Sequence, residues 1–156
     1  MKYRERATTA TFVNCTCCVI KPHSVKSGDV GKVVDRITSK ASGYEISAME
    51  MFRLNRAQAH EFFEVYQGVI PDFGEVLDEM VTGSCVALEV RGQNVVTAFR
   101  ETAGPWNVDM AKELRPESIR GTFGEGGART GIHCTDLPED GPSECRFFFE
   151  LMRGVE

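Results

Sequence analysis

No run in this 156-residue chain approaches the roughly 20 consecutive apolar residues that a membrane-spanning helix needs. Its first residues, Met1-Lys2-Tyr3-Arg4-Glu5-Arg6, lack the apolar core of a secretory signal. The expectation is a cytoplasmic protein with no membrane partner. Basic charge is also in short supply. Eighteen Lys and Arg stand against 23 Asp and Glu, leaving a net charge of -5 and a pI near 5.3. That argues against broad nucleic-acid binding, which needs a basic surface. It leaves room for a small anionic ligand, because a local arginine cluster binds phosphate even on an acidic protein. Internal repeats and low-complexity segments are absent.

Zinc-ligand spacing is missing too. Cys15-Thr16-Cys17-Cys18 lacks the gap of a zinc knuckle, and no His/Cys pair follows at ligand distance. Most of the cysteines, which also include Cys85, Cys134 and Cys145, sit in apolar runs. Reduced, core-packed thiols are expected, with no metal held by side chains. Gly28-Asp29-Val30-Gly31-Lys32 is not a Walker loop. That motif needs two more residues between its glycines and a Ser or Thr after the lysine, where this chain has Val33.

What is present suits one globular domain: 42% of residues are apolar and 26% charged. Residues 1–13 read as a flexible amino-terminal tail and residues 14–153 as the domain. Cys15–Ile20 reads as a buried strand stopped by Pro22, with Lys21 at its carboxyl end. Val30, Val33, Val34 and Ile37 recur at helical spacing, in a helix ending near Ser42-Gly43. Tyr44 to Phe52 alternates as a strand, with Tyr44, Ile46 and Ala48 on one face. Asn55 suits the N-cap of a helix burying Ala59, Phe62, Phe63 and Tyr66. Asp72-Phe73-Gly74-Glu75 resembles a capping box opening a second helix, with Phe73, Val76, Leu77 and Met80 inward. Ser84–Val90 is a third strand. Asn94–Ala103 reads as a helix, and Asp109–Leu114 as a shorter one. Residues 115–131 form a glycine-dense loop, Ile132–Thr135 a fourth strand, and Pro142 opens a last helix burying Phe147, Phe148 and Leu151. The order predicts an α+β fold: a ferredoxin-like βαββαβ core whose four-stranded antiparallel sheet carries helices on one face.

Chemistry concentrates around His133. Alone, a histidine in a short apolar strand reads as core. Here it follows the glycine loop, and Glu144 lies one loop downstream, where it can accept a ring N–H and fix the tautomer. A histidine so oriented can attack phosphorus with its other nitrogen. Lys21, Arg100, Arg115, Arg120 and Arg129 are the candidate cations, suited to neutralising phosphate oxygens. His23 and His60 lack such company and read as surface residues.

The motifs Val19-Ile20-Lys21-Pro22, Gly28-Asp29-Val30-Gly31-Lys32, Thr82-Gly83, Asn94-Val95-Val96 and Arg100 precede three more. These are Ser118-Ile119-Arg120-Gly121-Thr122-Phe123-Gly124, Ile132-His133-Cys134-Thr135-Asp136 and Glu144. In order and spacing, across residues 15–152, they resemble the nucleoside diphosphate kinase family. The wording around Asn14–Cys18 and His133–Gly141 is similar to the carboxyl-terminal kinase domain of its flagellar homologue-seven subgroup. The resemblance implies that His133 accepts a phosphoryl group and that Lys21, Arg100 and Arg120 hold nucleotide phosphates bridged by Mg²⁺. Thr135 stands where the family places a serine that bonds Glu144. It further implies ATP and other nucleoside tri- and diphosphates as substrates, ping-pong transfer, a homo-oligomer and, for the subgroup, axonemal microtubules of the flagellum as a partner.

Three positions depart from the family pattern, all among the expected nucleotide contacts. Thr130 replaces a longer asparagine that touches the sugar. Trp106 falls where a threonine contacts phosphate, and an indole offers no acceptor there. Phe73 is the nearest candidate for the ring that stacks on the base. A short insertion also separates Trp106 from Arg120. The resemblance thus implies either a kinase with a modified rim or a kinase fold kept as a scaffold.

Overall fold

The computed structural model describes residues 14–39 and 42–154; the expected tail at residues 1–13 lies outside the described residues. The organising element is β1 (Cys15–Ile20), buried at every position. It pairs antiparallel with both β3 and β4, and β2 extends the sheet to the order β2-β3-β1-β4. Six residues without one outward-facing polar position require cover on both faces. Cys15, Cys17 and Val19 enter one apolar cluster and Cys18 and Ile20 the other.

Pro22 stops β1, as expected, but also begins a helix: α1 (Pro22–Lys26) starts at once, because proline's fixed φ and missing N–H suit a first helical turn. In α2 (Val30–Thr38) Val33 and Ile37 are fully buried, and the helix ends four residues before Ser42. Strand β2 (Glu45–Phe52) differs from simple alternation. Ile46 pairs with Val90 and Ala48 with Glu89, so Ser47 is an extra residue, a bulge. Tyr44 and Ile46 therefore pack on the second cluster and Ala48 on the first, not on one shared face.

Asn55 caps α3 (Arg56–Phe63) through a full capping box with Gln58. A 3₁₀ turn over Glu64–Tyr66 continues it. The box expected at Asp72 is not formed. Asp72 opens α4 (Phe73–Met80) from a left-handed conformation, φ +55°, and its side chain makes no cap bond. Strand β3 (Cys85–Arg91), α5 (Val95–Ala103) and α6 (Val108–Leu114) follow as anticipated. The glycine-dense stretch holds a helix, α7 (Ile119–Phe123), capped by the Ser118 hydroxyl. β4 (Ile132–Cys134) lies beside β1, with His133 opposite Val19. The last helix, α8 (Gly141–Arg146), widens into a π-helical turn at Phe147–Leu151. That wider turn shifts the apolar phase. Phe149 is buried with Phe147 and Phe148, while Leu151 is exposed.

The ferredoxin-like βαββαβ plan is present: α2 and α5 supply the cover of one face. The other face is not bare. Helices α3, α4 and α8 cover it, so helices lie on both sides, as the doubly buried β1 demands. All six cysteines are buried, and no disulfide joins any of them.

Gly141 is required for this packing. A Cβ there would meet the Cys15 carbonyl oxygen at 2.3 Å, whereas one at Gly74 in α4 would meet nothing within 4 Å. Gly141→Ala is expected to lower unfolding free energy by about 1–3 kcal/mol through overpacking. Gly74→Ala should raise it by up to about 1 kcal/mol through helix propensity. Urea denaturation of both variants checks the opposite signs.

Candidate active site

Because His133 pairs with Val19, its ring points to the same face of the sheet as Val19, toward α3 and α8. Three rings enclose the imidazole edge-on: Phe62, Phe63 and Tyr66, each with its centroid 5.2 Å away. Nε2 meets Glu144 Oε1 at 2.5 Å, and both residues are buried. A carboxylate accepts, so Nε2 carries the proton and Nδ1 keeps the lone pair.

Thr135 does not serve Glu144. Its hydroxyl accepts from the Cys17 amide at 2.9 Å, and its own N–H donates to the Cys17 carbonyl, tying β4 to β1 beyond the last ladder pair. The second oxygen of Glu144 is taken by Tyr66, whose hydroxyl donates to Oε2 at 2.8 Å. Burial, and then the charge of Glu144, push the Tyr66 phenol well above its usual range, so it remains a donor. Tyr66 had read only as the end of an apolar stripe. A buried tyrosine hydroxyl needs a polar partner, and that was the available signal.

A cleft of about 690 Å³ opens beside His133, with Arg100, Trp106 and Arg120 in its lining. Arg100 is half exposed and pairs with Asp136, 3.0 Å from Nη2 to Oδ1. Arg120 is buried; it donates to the Gly104 carbonyl at 2.8 Å, and its Nε has no partner among the described residues. Lys21 follows β1, fully buried, and its ammonium donates to the Ala128 carbonyl at 2.9 Å. Burial first, then the charge of Arg120, push the Lys21 ammonium down to about 7, with Glu79 acting in the opposite direction. Arg100, Arg115 and Arg120 thus line the cleft, while Lys21 is buried against the face of Trp106. Arg115 is engaged there by Glu101 and Glu117, and Arg129 pairs with Glu125 and Glu79 outside the cleft lining.

Two expected rim residues lie elsewhere. Thr130 is fully buried, and its hydroxyl bonds the Ile132 carbonyl. Phe73 packs edge-on against His60 and is not part of the cleft wall, which near α4 is formed by Val69, Ile70 and Pro71. Among the described residues no group of three or more His, Cys, Asp or Glu is placed to hold a metal ion. No helix there is long and apolar enough to cross a membrane.

His23 corrects the expectation of a surface role. It is buried, its Nε2 accepts from the Gly131 amide at 2.9 Å, and Nδ1 faces Glu125 at 3.5 Å. The Gly131 carbonyl in turn accepts from the Lys21 amide, so His23 fixes the start of β4 against the end of β1. Burial pushes its pKa below the usual histidine value, Lys21 adds to this, and Glu79 and Glu125 oppose it. A base with a lowered folded-state pKa leaves the unfolded chain binding more protons. Its contribution is therefore present above about pH 6.5 and lost as pH falls through the folded value. His23→Gln keeps an acceptor for Gly131 without titrating. The melting midpoint should fall more steeply below about pH 6.5 in the wild type than in this variant. Parallel slopes in calorimetry would refute it.

A comparison with known proteins places this geometry. The family model described as "Nucleoside diphosphate kinase" matches residues 14–153. "Nucleoside diphosphate kinase homolog 7" of Rattus norvegicus and of Mus musculus are each 44% identical over 146 residues, 94% of this chain. The chain spans only 36% of the length of those two relatives. The nucleoside diphosphate kinase of Aquifex aeolicus is 34% identical over 137 residues, covering 88% of this chain and 94% of that one. A crystal structure of the Aquifex aeolicus enzyme superposes with a TM-score of 0.82 at 33% identity, over 90% of this chain and 97% of that one. The Encephalitozoon cuniculi nucleoside diphosphate kinase gives 0.77 at 20% identity, over 92% of this chain and 99% of that one, and speaks for the fold alone. With a family model over nearly its whole length and these relatives beside it, the chain belongs to the nucleoside diphosphate kinase family.

Proposed function

We propose that this chain transfers the terminal phosphate of a nucleoside triphosphate to a nucleoside diphosphate through a phosphohistidine at His133. The observation that carries the reading is the Tyr66–Glu144–His133 relay beside a cleft lined by Arg100 and Arg120, with Lys21 buried behind Trp106. Nε2–H is held by Glu144, which leaves the Nδ1 lone pair free. Nδ1 attacks the γ-phosphorus, the N–P bond forms, and the bond from that phosphorus to the β,γ-bridging oxygen breaks. The diphosphate leaves with the electron pair. A second diphosphate then attacks phosphorus with a terminal oxygen, and the pair returns to Nδ1. Glu144 stabilises the positive charge that develops on the ring, and Tyr66 holds Glu144 in place.

Arg100, Arg120 and Lys21 neutralise phosphate charge in this reading, where positioning and electrostatics do most of the work. Mg²⁺ arrives bound to the nucleotide and neutralises charge on its phosphates. The nucleotide lies in the cleft against Val69 and Met110, both well exposed there, in place of a stacked phenylalanine. The chain works in the cytoplasm as a homo-oligomer. The edge of β2, unpaired among the described residues and with Met49 and Met51 exposed, supports self-association.

A second reading has its own support. Trp106 lies over Lys21 and Arg120, and Arg100 is engaged by Asp136. A site whose cations already have partners suits a kinase fold kept as a scaffold, with axonemal microtubules of the flagellum as partner.

Incubation with γ-labelled ATP and Mg²⁺ is expected to give an acid-labile protein label, absent in His133→Ala. Glu144→Gln should lower turnover by about 10²-fold or more, and Tyr66→Phe by about tenfold, as expected for an outer partner of the nucleophile. No label at millimolar ATP would sink the enzyme. Failure to co-pellet with doublet microtubules would sink the scaffold.

A further inference from the structure

Lys21 and Arg120 are the most deeply placed cations of the site, 0% and 6% exposed. One side chain lies on both. The Trp106 indole has the Lys21 ammonium 4.6 Å and the Arg120 guanidinium carbon 5.3 Å from its ring centroid. The ring is partly exposed and lines the cleft beside Arg120, while Lys21, behind it, does not reach the lining. An aromatic face attracts cations through its quadrupole, most strongly when they are desolvated. It is a weaker partner than a phosphate oxygen, which brings full charge and accepts hydrogen bonds. The Arg120 Nε has no partner among the described residues, a donor that the indole face leaves unused.

The backbone around the indole is pinned at both ends. Gly104 sits at φ +85°, where a Cβ would meet the Ser118 hydroxyl at 2.3 Å, and its carbonyl is bonded by Arg120. Asn107 caps α6 through the Met110 amide. Rotation of the side chain about its own bonds is the motion left to Trp106.

We infer that Trp106 is a displaceable cap that yields Lys21 and Arg120 only to ligands carrying two or more linked phosphates. The inference rests on the reading above that nucleotide phosphates bind in this cleft. In the empty site the indole keeps the two cations from water and from singly phosphorylated or small anions. A di- or triphosphate supplies enough charge to replace the ring on both, and binding turns the indole outward. The cap therefore weakens all binding while raising the contrast between a diphosphate and a monophosphate.

Trp106 is the only tryptophan of the chain, so its emission reports the cap directly. Wild-type protein is titrated with tripolyphosphate, ADP and AMP, with calorimetry alongside. Tripolyphosphate and ADP are expected to shift the emission to the red and increase iodide quenching, and AMP to do neither. Trp106→Ala should bind tripolyphosphate about tenfold tighter, with Trp106→Phe between the two. It should also bind AMP with less disadvantage relative to ADP. Melting midpoints confirm folding, and if the alanine variant does not fold, the phenylalanine variant carries the comparison. Heat of binding with unchanged emission overturns the cap, as does unchanged or weaker binding in the variants. The label on His133, measured on the same protein, separates this from the kinase reading. Label with silent emission removes the cap alone. A polyphosphate-driven emission change without label removes the kinase and leaves the cap. No binding to wild type or variant removes both.

Discussion

An imidazole and a carboxylate meet 2.5 Å apart inside an aromatic enclosure, and much of the fold exists to keep them there. A buried carboxylate without partners would be protonated or expelled. Glu144 has two donors, His133 and Tyr66, which come from β4 and from the turn after α3. Glu144 itself stands on α8, so one carboxylate joins three elements far apart in sequence. Phe62 and Phe63 on α3 touch the same imidazole, and the capping box at Asn55 sets where that helix starts. Positioning the histidine and packing this face of the sheet are one arrangement. Loss of any member would disturb both.

The cations impose a second constraint. Lys21 follows a strand buried on both faces, and its own side chain is fully buried. Its partners are dipoles and one ring: the Ala128 carbonyl and the Trp106 face. Burial first, and then the nearby charge of Arg120, push its pKa down to about 7. An incoming phosphate would reverse that balance by supplying full negative charge. The Lys21 and Arg120 charges thus rest on carbonyls and a ring, whereas Glu144 in the His133–Glu144–Tyr66 relay has a donor on each oxygen.

Where local pattern decides structure, the sequence was readable. The six buried residues of β1, the Asn55 cap, the i, i+3, i+4 spacing of α4 and the place of Pro142 all follow from neighbours a few residues away. Motif order singled out His133 and Glu144, which the fold brings into contact, and Arg100 and Arg120, which it brings to one cleft. What escaped depends on backbone geometry or on distant partners. The Ser47 bulge changes the face of Ala48 because the period of a strand resets with one inserted residue. The left-handed Asp72 and the π-helical turn at Phe147 likewise leave no mark in a hydrophobic pattern. Tyr66 reaches Glu144 across 78 positions and His23 reaches Gly131 across 108, distances at which periodicity is silent. Thr135 shows the complementary error. Its placement in a motif suggested a partner, and the ladder between β1 and β4 claimed its hydroxyl first.

The departures from the family pattern are not scattered evenly over the site. Thr130 bonds its own strand and Phe73 packs on His60, so both have been absorbed into the scaffold. Trp106 alone faces the cleft and touches the machinery. Substitutions that turn inward remove contacts to a ligand and leave the empty site unchanged. A substitution that lies across two buried cations changes the empty site as well, because desolvated charges require a partner whether or not a ligand is present. Without the ring or a phosphate, Lys21 would keep only the Ala128 carbonyl and Arg120 the Gly104 carbonyl, and water would reach both charges. If the cleft takes phosphates, the indole both stands in their way and shields the two cations from water when they are absent, because one ring face does both.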